Sequence, residues 1–202
     1  MTILVITTGG TIGAMPFADP TTCPPYVTMP PDGRDLVREA LAHDFTDLST
    51  RYFAAEHKDS KLIDDPYRDN LIKLIDHAEE TQALVVHGTD TILQTAEYFY
   101  AKAKSGSALQ GKTVIITGAM LPLANGATSD GFMNLKFSLE QLSGANLAAG
   151  IYIVLCDYHV AENKDSWAPR LYHFEPNIYE KYYDPDSRYS RLRALPPRAK
   201  PV

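Results

Sequence analysis

Ile3-Leu4-Val5-Ile6-Thr7-Thr8-Gly9-Gly10-Thr11-Ile12-Gly13 and Ala83-Leu84-Val85-Val86-His87-Gly88-Thr89-Asp90-Thr91 are the two stretches that decide the fold. Each is a short apolar run that stops abruptly at glycine and threonine. Runs of this kind belong to strands covered on both faces, as in a parallel sheet flanked by helices. In such a sheet the loops leaving the carboxyl ends of the strands bind the ligand. Two loops of the same chemistry are expected to meet over one ligand. Thr11, Thr89 and Asp90 are then the reacting groups, and they point to hydrolysis through an activated hydroxyl.

The same pattern extends outward from these two stretches. Strands are expected at residues 2–8, 51–55, 83–87, 113–117 and 150–156, with four helices between them. Asp32 precedes a helix over 33–43, and Asp65 caps a second with Pro66 at its first position. Leu71, Ile72, Leu74 and Ile75 form the buried side of that second helix. A third helix covers 91–104 and is closed by Gly106, and Ser129 or Asp130 opens a fourth with Leu135, Leu139 and Leu142 at helical spacing. The order βαβαβαβαβ with right-handed crossovers gives an α/β, doubly wound, mostly parallel five-stranded sheet of flavodoxin-like type. Two regions break the alternation. Residues 13–31 are rich in proline, and a loop that long inside a compact domain is usually functional or disordered. Beyond residue 157 prolines and tyrosines replace periodicity. The expected division is an α/β domain over 1–165 and an irregular, basic Pro/Tyr-rich tail over 166–202.

The bulk composition excludes several classes. Of 202 residues, 45% are hydrophobic and 22% charged, which suits a globular chain rather than a disordered one. A net charge of −6 argues against nucleic acid as the main ligand, since that needs a basic face. Six lysines and arginines against two aspartates in residues 181–202 read as a solvated tail. The two cysteines, Cys23 and Cys156, show neither a disulfide framework nor metal-ligand spacing. No basic region precedes the first apolar run, which is too short to span a membrane, so no membrane partner and a cytoplasmic location are expected.

Glycines at positions 9 and 10 let the backbone turn sharply and bring amide N–H groups close to a ligand. A threonine hydroxyl on such a turn is a poor nucleophile until a base takes its proton. Tyr26, Lys164 or Asp90 can supply that base, directly or through a relay. An Asp90–Lys164 pair suits an orienting relay better than a free amine, because the carboxylate favours the charged lysine. His87 reads as a packing and hydrogen-bonding residue rather than a catalyst. No Gly-x-Ser-x-Gly elbow supports a serine hydrolase. A competing reading is a non-catalytic module that binds an amino acid or a nucleotide on the same fold. The first loop fits neither Gly-x-x-x-x-Gly-Lys-Ser/Thr nor Gly-x-Gly-x-x-Gly.

Thr8-Gly9-Gly10-Thr11-Ile12-Gly13, His87-Gly88-Thr89-Asp90-Thr91, Gly118-Ala119-Met120, Ser129-Asp130-Gly131 and Asn134-Leu135 together give the chain a family likeness. It resembles the bacterial-type L-asparaginases, a family of amidohydrolases that includes glutaminase-asparaginases, from residue 1 to about 165. The resemblance implies conversion of L-asparagine to L-aspartate and ammonia, with glutamine as a lesser substrate and no metal or organic cofactor. It implies Thr11 as the nucleophile, Tyr26 assisting it, and Thr89 activating or positioning water with Asp90 and a lysine, Lys164 by position. Substrate contacts are implied at Gly10, Asp59, Ser60, Lys61, Gly88, Thr89 and Asp90. Ser60 would bind the α-carboxylate and Asp90 the α-amino group. Lys61 replaces the glutamine that the family often carries beside that serine. The resemblance further implies a homodimer or homotetramer. Typical members add a carboxy-terminal α/β domain whose glutamate or asparagine completes a neighbour's site, and this chain is expected to be a short form lacking most of that domain.

Overall fold

The computed structural model describes residues 1–16, 27–28, 30, 32–144, 146–157, 168–176, 179–184 and 189–194. The strands are β1 (Ile3–Thr7), β2 (Met15–Pro16), β3 (Val27–Thr28), β4 (Thr50–Ala54), β5 (Gln82–Val86), β6 (Thr113–Thr117), β7 (Gly150–Asp157), β8 (Ala168–His173), β9 (Tyr179–Asp184) and β10 (Tyr189–Ala194). The helices are α1 (Leu36–His43), α2 (Asp65–His77), α3 (Ile92–Lys104) and α4 (Asp130–Gly144).

One six-stranded sheet runs in the order β4-β1-β5-β6-β7-β8. The first five strands in that order are parallel, and β8 is antiparallel to β7. Numbered among themselves, the parallel strands lie in the order 2-1-3-4-5, the flavodoxin-like arrangement the sequence predicts. The order reverses between β1 and β5, where Thr7 pairs with Val86 at the carboxyl ends of both strands. A crevice opens at such a switch point because the connections leave it towards opposite faces of the sheet.

Strand periodicity sorts the core into two layers. Leu4, Ile6, Val85, Ile116 and Ile153 face one side, against Leu71 and Ile75 of α2 and Ala96 and Phe99 of α3. Val5, Leu84, Val86, Ile115 and Val154 face the other, against Val37 of α1 and Leu135, Leu139 and Leu142 of α4. Each fully buried aliphatic side chain contributes ~2 kcal/mol relative to an exposed one. The central strands therefore hold the loops at their carboxyl ends on a rigid base.

Four expectations need correction. The sheet has a sixth strand: residues 168–173, expected in the irregular tail, close its edge with Pro169 opposite Cys156. Proline is tolerated there because edge strands need not donate on both sides. A two-stranded antiparallel pair, β9 with β10, also forms in that tail. Helix α1 starts later than expected, because Gly33 takes a φ of 70° and Asp35, not Asp32, caps the helix by accepting from the Arg38 amide. Asp64, not Asp65, caps α2 by accepting from the Tyr67 amide.

Candidate active site

Four loops meet at the carboxyl ends of β1, β4, β5 and β6, packed closely enough that glycine is required. Gly10 has φ 88°, and a β-carbon on it would lie 2.7 Å from Gly88 Cα. A β-carbon on Gly88 would lie 2.7 Å from Ser60 Oγ, so the loop after β4 presses on the same point. On the far side, a β-carbon on Gly118 would lie 2.5 Å from the His87 carbonyl oxygen. Both glycine–threonine turns thus touch backbone to backbone across the switch point.

Between them lies a cleft of about 300 Å³. Gly9, Gly10, Thr11 and Ala14 line it from the β1 loop, and Gly88, Thr89 and Asp90 from the β5 loop. The β4 loop adds His57, Lys58, Asp59 and Ser60. Thr11 and Thr89, both half-buried, therefore share one cavity with Ser60 and Asp90. Lys61 stands beside the cleft, with its Nζ 3.3 Å from Asp90 Oδ2. Tyr26 and Lys164 lie outside the described residues. His57 and Lys58 were given no role by the sequence, although their adjacency to Asp59-Ser60-Lys61 is a signal for them.

Each wall has its own support. The Thr8 amide and hydroxyl both donate to the Val86 carbonyl, at 2.9 and 3.2 Å, tying the two turns together at their roots. The Lys58 amide donates to the Thr8 carbonyl at 2.9 Å, which draws the β4 loop over the first turn. Tyr67 of α2 anchors the same loop, its hydroxyl donating to the Glu56 carbonyl at 2.5 Å and its ring lying under Lys58. Burial, then the charge of Glu56, pushes the Tyr67 phenol up to about 12, so it remains a donor. The Asp59 carboxylate accepts from the Lys61 amide at 3.0 Å and the Thr91 hydroxyl donates to the Ser60 carbonyl at 2.7 Å. Ser60 itself is buried.

The Ser129-Asp130-Gly131 and Asn134 motif shapes the fourth loop from beneath. The buried Asp130 carboxylate accepts from the Met120 and Leu121 amides at 2.8 and 2.7 Å. The Asn134 side-chain amide donates to the Gly118 carbonyl at 2.9 Å. Met120 in turn receives the Thr89 hydroxyl on its sulfur at 3.5 Å. These motif residues hold the loop that backs Thr89 and do not line the cleft.

His87 is fully buried beneath the second turn, which agrees with its reading as a packing residue. Burial pushes its imidazole down to about 4, with Arg68 adding to the effect and the hydrogen bond to the Gly88 carbonyl opposing it. It is neutral near pH 7 and does not reach the cleft. Among the described residues no group of three or more His, Cys, Asp or Glu side chains gathers as a metal site. No described helix is long and apolar enough to cross a membrane.

Comparison with known proteins agrees with this architecture. No curated protein sequence matches the chain. Among solved structures it is similar to L-asparaginase I from Vibrio cholerae, at 20% identity and a TM-score of 0.66, over 96% of this chain and 52% of that one. The thermostable L-asparaginase from Thermococcus kodakarensis matches at 20% identity and a TM-score of 0.57, over 100% of this chain and 59% of that one. A probable cytoplasmic L-asparaginase from Campylobacter jejuni matches at 19% identity and a TM-score of 0.62, over 88% and 60%. The chain thus spans little more than half the length of these proteins, and the likeness to them is one of fold. Residues 2–164 match the family model of the asparaginase N-terminal domain, and with four-fifths of its length inside that match the chain belongs to the asparaginase family.

Proposed function

We propose that the protein is an amidohydrolase that converts L-asparagine to L-aspartate and ammonia through Thr11. The observation that carries this reading is the single cleft in which Thr11, Ser60, Thr89 and Asp90 meet. Family membership over residues 2–164 supplies the reaction class.

In this reading the Thr11 hydroxyl gives up its proton as its oxygen attacks the side-chain carbonyl carbon of the substrate. Negative charge then develops on the carbonyl oxygen. Backbone N–H groups near Thr11 and Thr89 receive it, each such donor being worth ~3 kcal/mol in the transition state. The nitrogen of the tetrahedral intermediate takes up the proton released from Thr11 as the C–N bond breaks, so that ammonia departs and an ester is left on Thr11. Thr89, with Asp90 beside it, orients the water that cleaves the ester and restores the hydroxyl. Ser60 holds the substrate α-carboxylate and Asp90 its α-ammonium. Tyr26 and Lys164 belong to the same proposal as the partners of Thr11 and Thr89 in proton transfer. Glutamine fits as a lesser substrate, because one extra methylene changes discrimination by only ~1–3 kcal/mol. The active species is taken to be a homodimer or homotetramer, which light scattering tests directly.

The test is ammonia release by pure protein from L-asparagine, L-glutamine and D-asparagine. L-Asparagine is expected to turn over fastest. Thr11→Ala and Thr89→Ala are each expected to lose at least ~100-fold in kcat, the scale of losing a nucleophile or its activation. Full activity in both variants, or binding of asparagine with no turnover by the wild type, would reject the reading.

A further inference from the structure

Three buried side chains behind the second turn form a directed series of hydrogen bonds. Arg68 of α2 donates from Nε to Thr95 Oγ1 at 3.1 Å. Thr95 Oγ1 of α3 lies 3.1 Å from His87 Nε2. His87 Nδ1 lies 2.7 Å from the Gly88 carbonyl oxygen. All three side chains are buried, and none of them lines the cleft.

The two ends of the series fix every proton between them. A guanidinium only donates and a carbonyl only accepts. Thr95 Oγ1 therefore accepts from Arg68 and has its own proton to give to His87 Nε2. The Gly88 carbonyl requires the imidazole proton on Nδ1. Both demands select the same neutral tautomer, Nδ1–H with a bare Nε2.

The Gly88 carbonyl belongs to the same planar unit as the Thr89 amide. In a trans peptide the C=O and N–H point in opposite directions. With the carbonyl drawn inward to His87, the Thr89 N–H faces away from the core, to the side where Gly88, Thr89 and Asp90 line the cleft. We propose that Arg68 and Thr95 are positioning residues that act through His87 to lock the Gly88–Thr89 peptide plane, so that the Thr89 N–H is held ready for the developing oxyanion. This rests on the amidohydrolase reading above and deepens it. The device joins the turn after β5 to α2 and α3, and so ties the site to the core rather than to its own loop.

The test combines kinetics with nitrogen NMR. Thr95→Val keeps the shape of the side chain but cannot donate to Nε2, whereas Thr95→Ser restores the hydroxyl. Thr95→Val is expected to lower kcat for L-asparagine about 10- to 100-fold while KM stays within about threefold, because the lost interaction forms only in the transition state. Thr95→Ser is expected to recover kcat to within about threefold of wild type. Retention of wild-type kcat by folded Thr95→Val, or failure of Thr95→Ser to rescue, would overturn the proposal. The ¹⁵N spectrum of wild-type His87 near pH 7 decides independently: a protonated Nδ1 with bare Nε2 supports it, and the opposite tautomer sinks it. Should Thr95→Val not fold, Thr95→Ser and the spectrum carry the decision. An inactive wild type with the expected tautomer would remove the amidohydrolase reading and the catalytic role of the series with it, leaving the hydrogen bonds themselves intact.

Discussion

Lys61 and Asp90 form an ion pair on the rim of the cleft, with Nζ 3.3 Å from Oδ2 and both side chains substantially exposed. A substrate ammonium that docks on Asp90 has to share that carboxylate with the lysine. The same lysine adds positive charge near Ser60, where the α-carboxylate is proposed to bind. The two effects oppose each other, so the sign is set by distance. Lys61 reaches Asp90 directly, whereas its backbone, not its charge, is tied to the Asp59 carboxylate beside Ser60. Competition at Asp90 is expected to win. An exposed pair is worth ~0–1 kcal/mol, which corresponds to at most about fivefold in affinity. Lys61→Gln is therefore expected to lower KM for L-asparagine by about two- to fivefold with kcat nearly unchanged. Steady-state kinetics at low ionic strength makes the measurement, and a rise in KM would show that the carboxylate contact dominates instead.

At the scale of elements, the site exists because loops from neighbouring strands approach with no side chain between them. Gly88 is the point where three of these loops crowd together: its Cα abuts the position of a Gly10 β-carbon, and its own β-carbon would collide with Ser60 at 2.7 Å. Its φ of −74° is ordinary, so alanine there suffers from crowding rather than from backbone strain. Gly88→Ala is expected to destabilise by ~1–3 kcal/mol through overpacking and to reduce activity by displacing Ser60. Urea unfolding checks the first and asparagine turnover the second, and an unchanged midpoint would mean that the β4 loop is free to yield. The β1 and β5 loops were legible in the sequence because each ends an apolar run whose burial the sequence itself announces. The β4 loop was not: residues 55–60 carry no period, and their place is set by Lys58 bonding to Thr8 and by Tyr67 reaching Glu56, contacts made only in the folded chain. The sequence points to Ser60 through family likeness alone. Strand β8 is not legible in the sequence because its exposed and half-buried residues, with Pro169 near the start, lack the apolar signature of the central strands. Arg68, Thr95 and His87 are polar residues scattered over three elements, and only their burial together reveals a common purpose.

For the whole molecule, the consequence of that burial is sensitivity to acid. His87 sits at the end of a central strand with its imidazole pushed down to about 4, against 6.5 for the ordinary side chain. The unfolded chain therefore binds a proton at a pH where the folded chain still refuses it. Stability is unaffected above pH 6.5, falls as pH drops through the interval, and levels off for this residue below about 4. At ~1.4 kcal/mol per pH unit the gap amounts to about 3 kcal/mol, a large share of the ~5–15 kcal/mol that holds a typical domain together. Glu80 acts in a separate, lower window. The Arg51 guanidinium, hydrogen-bonded to it, holds its carboxyl at about 2, below the usual 4.5, so its contribution is present above 4.5 and is lost as pH falls towards 2. Urea titrations at pH 7.5, 5.5 and 4.5 isolate the histidine, since Glu80 stays ionised in both states through most of that range. Wild type is expected to lose stability progressively across the three. His87→Gln is expected to start lower, because it disturbs the bonds to Thr95 and Gly88, but to follow a flatter course with pH. Equal slopes in the two proteins would place the acid sensitivity elsewhere.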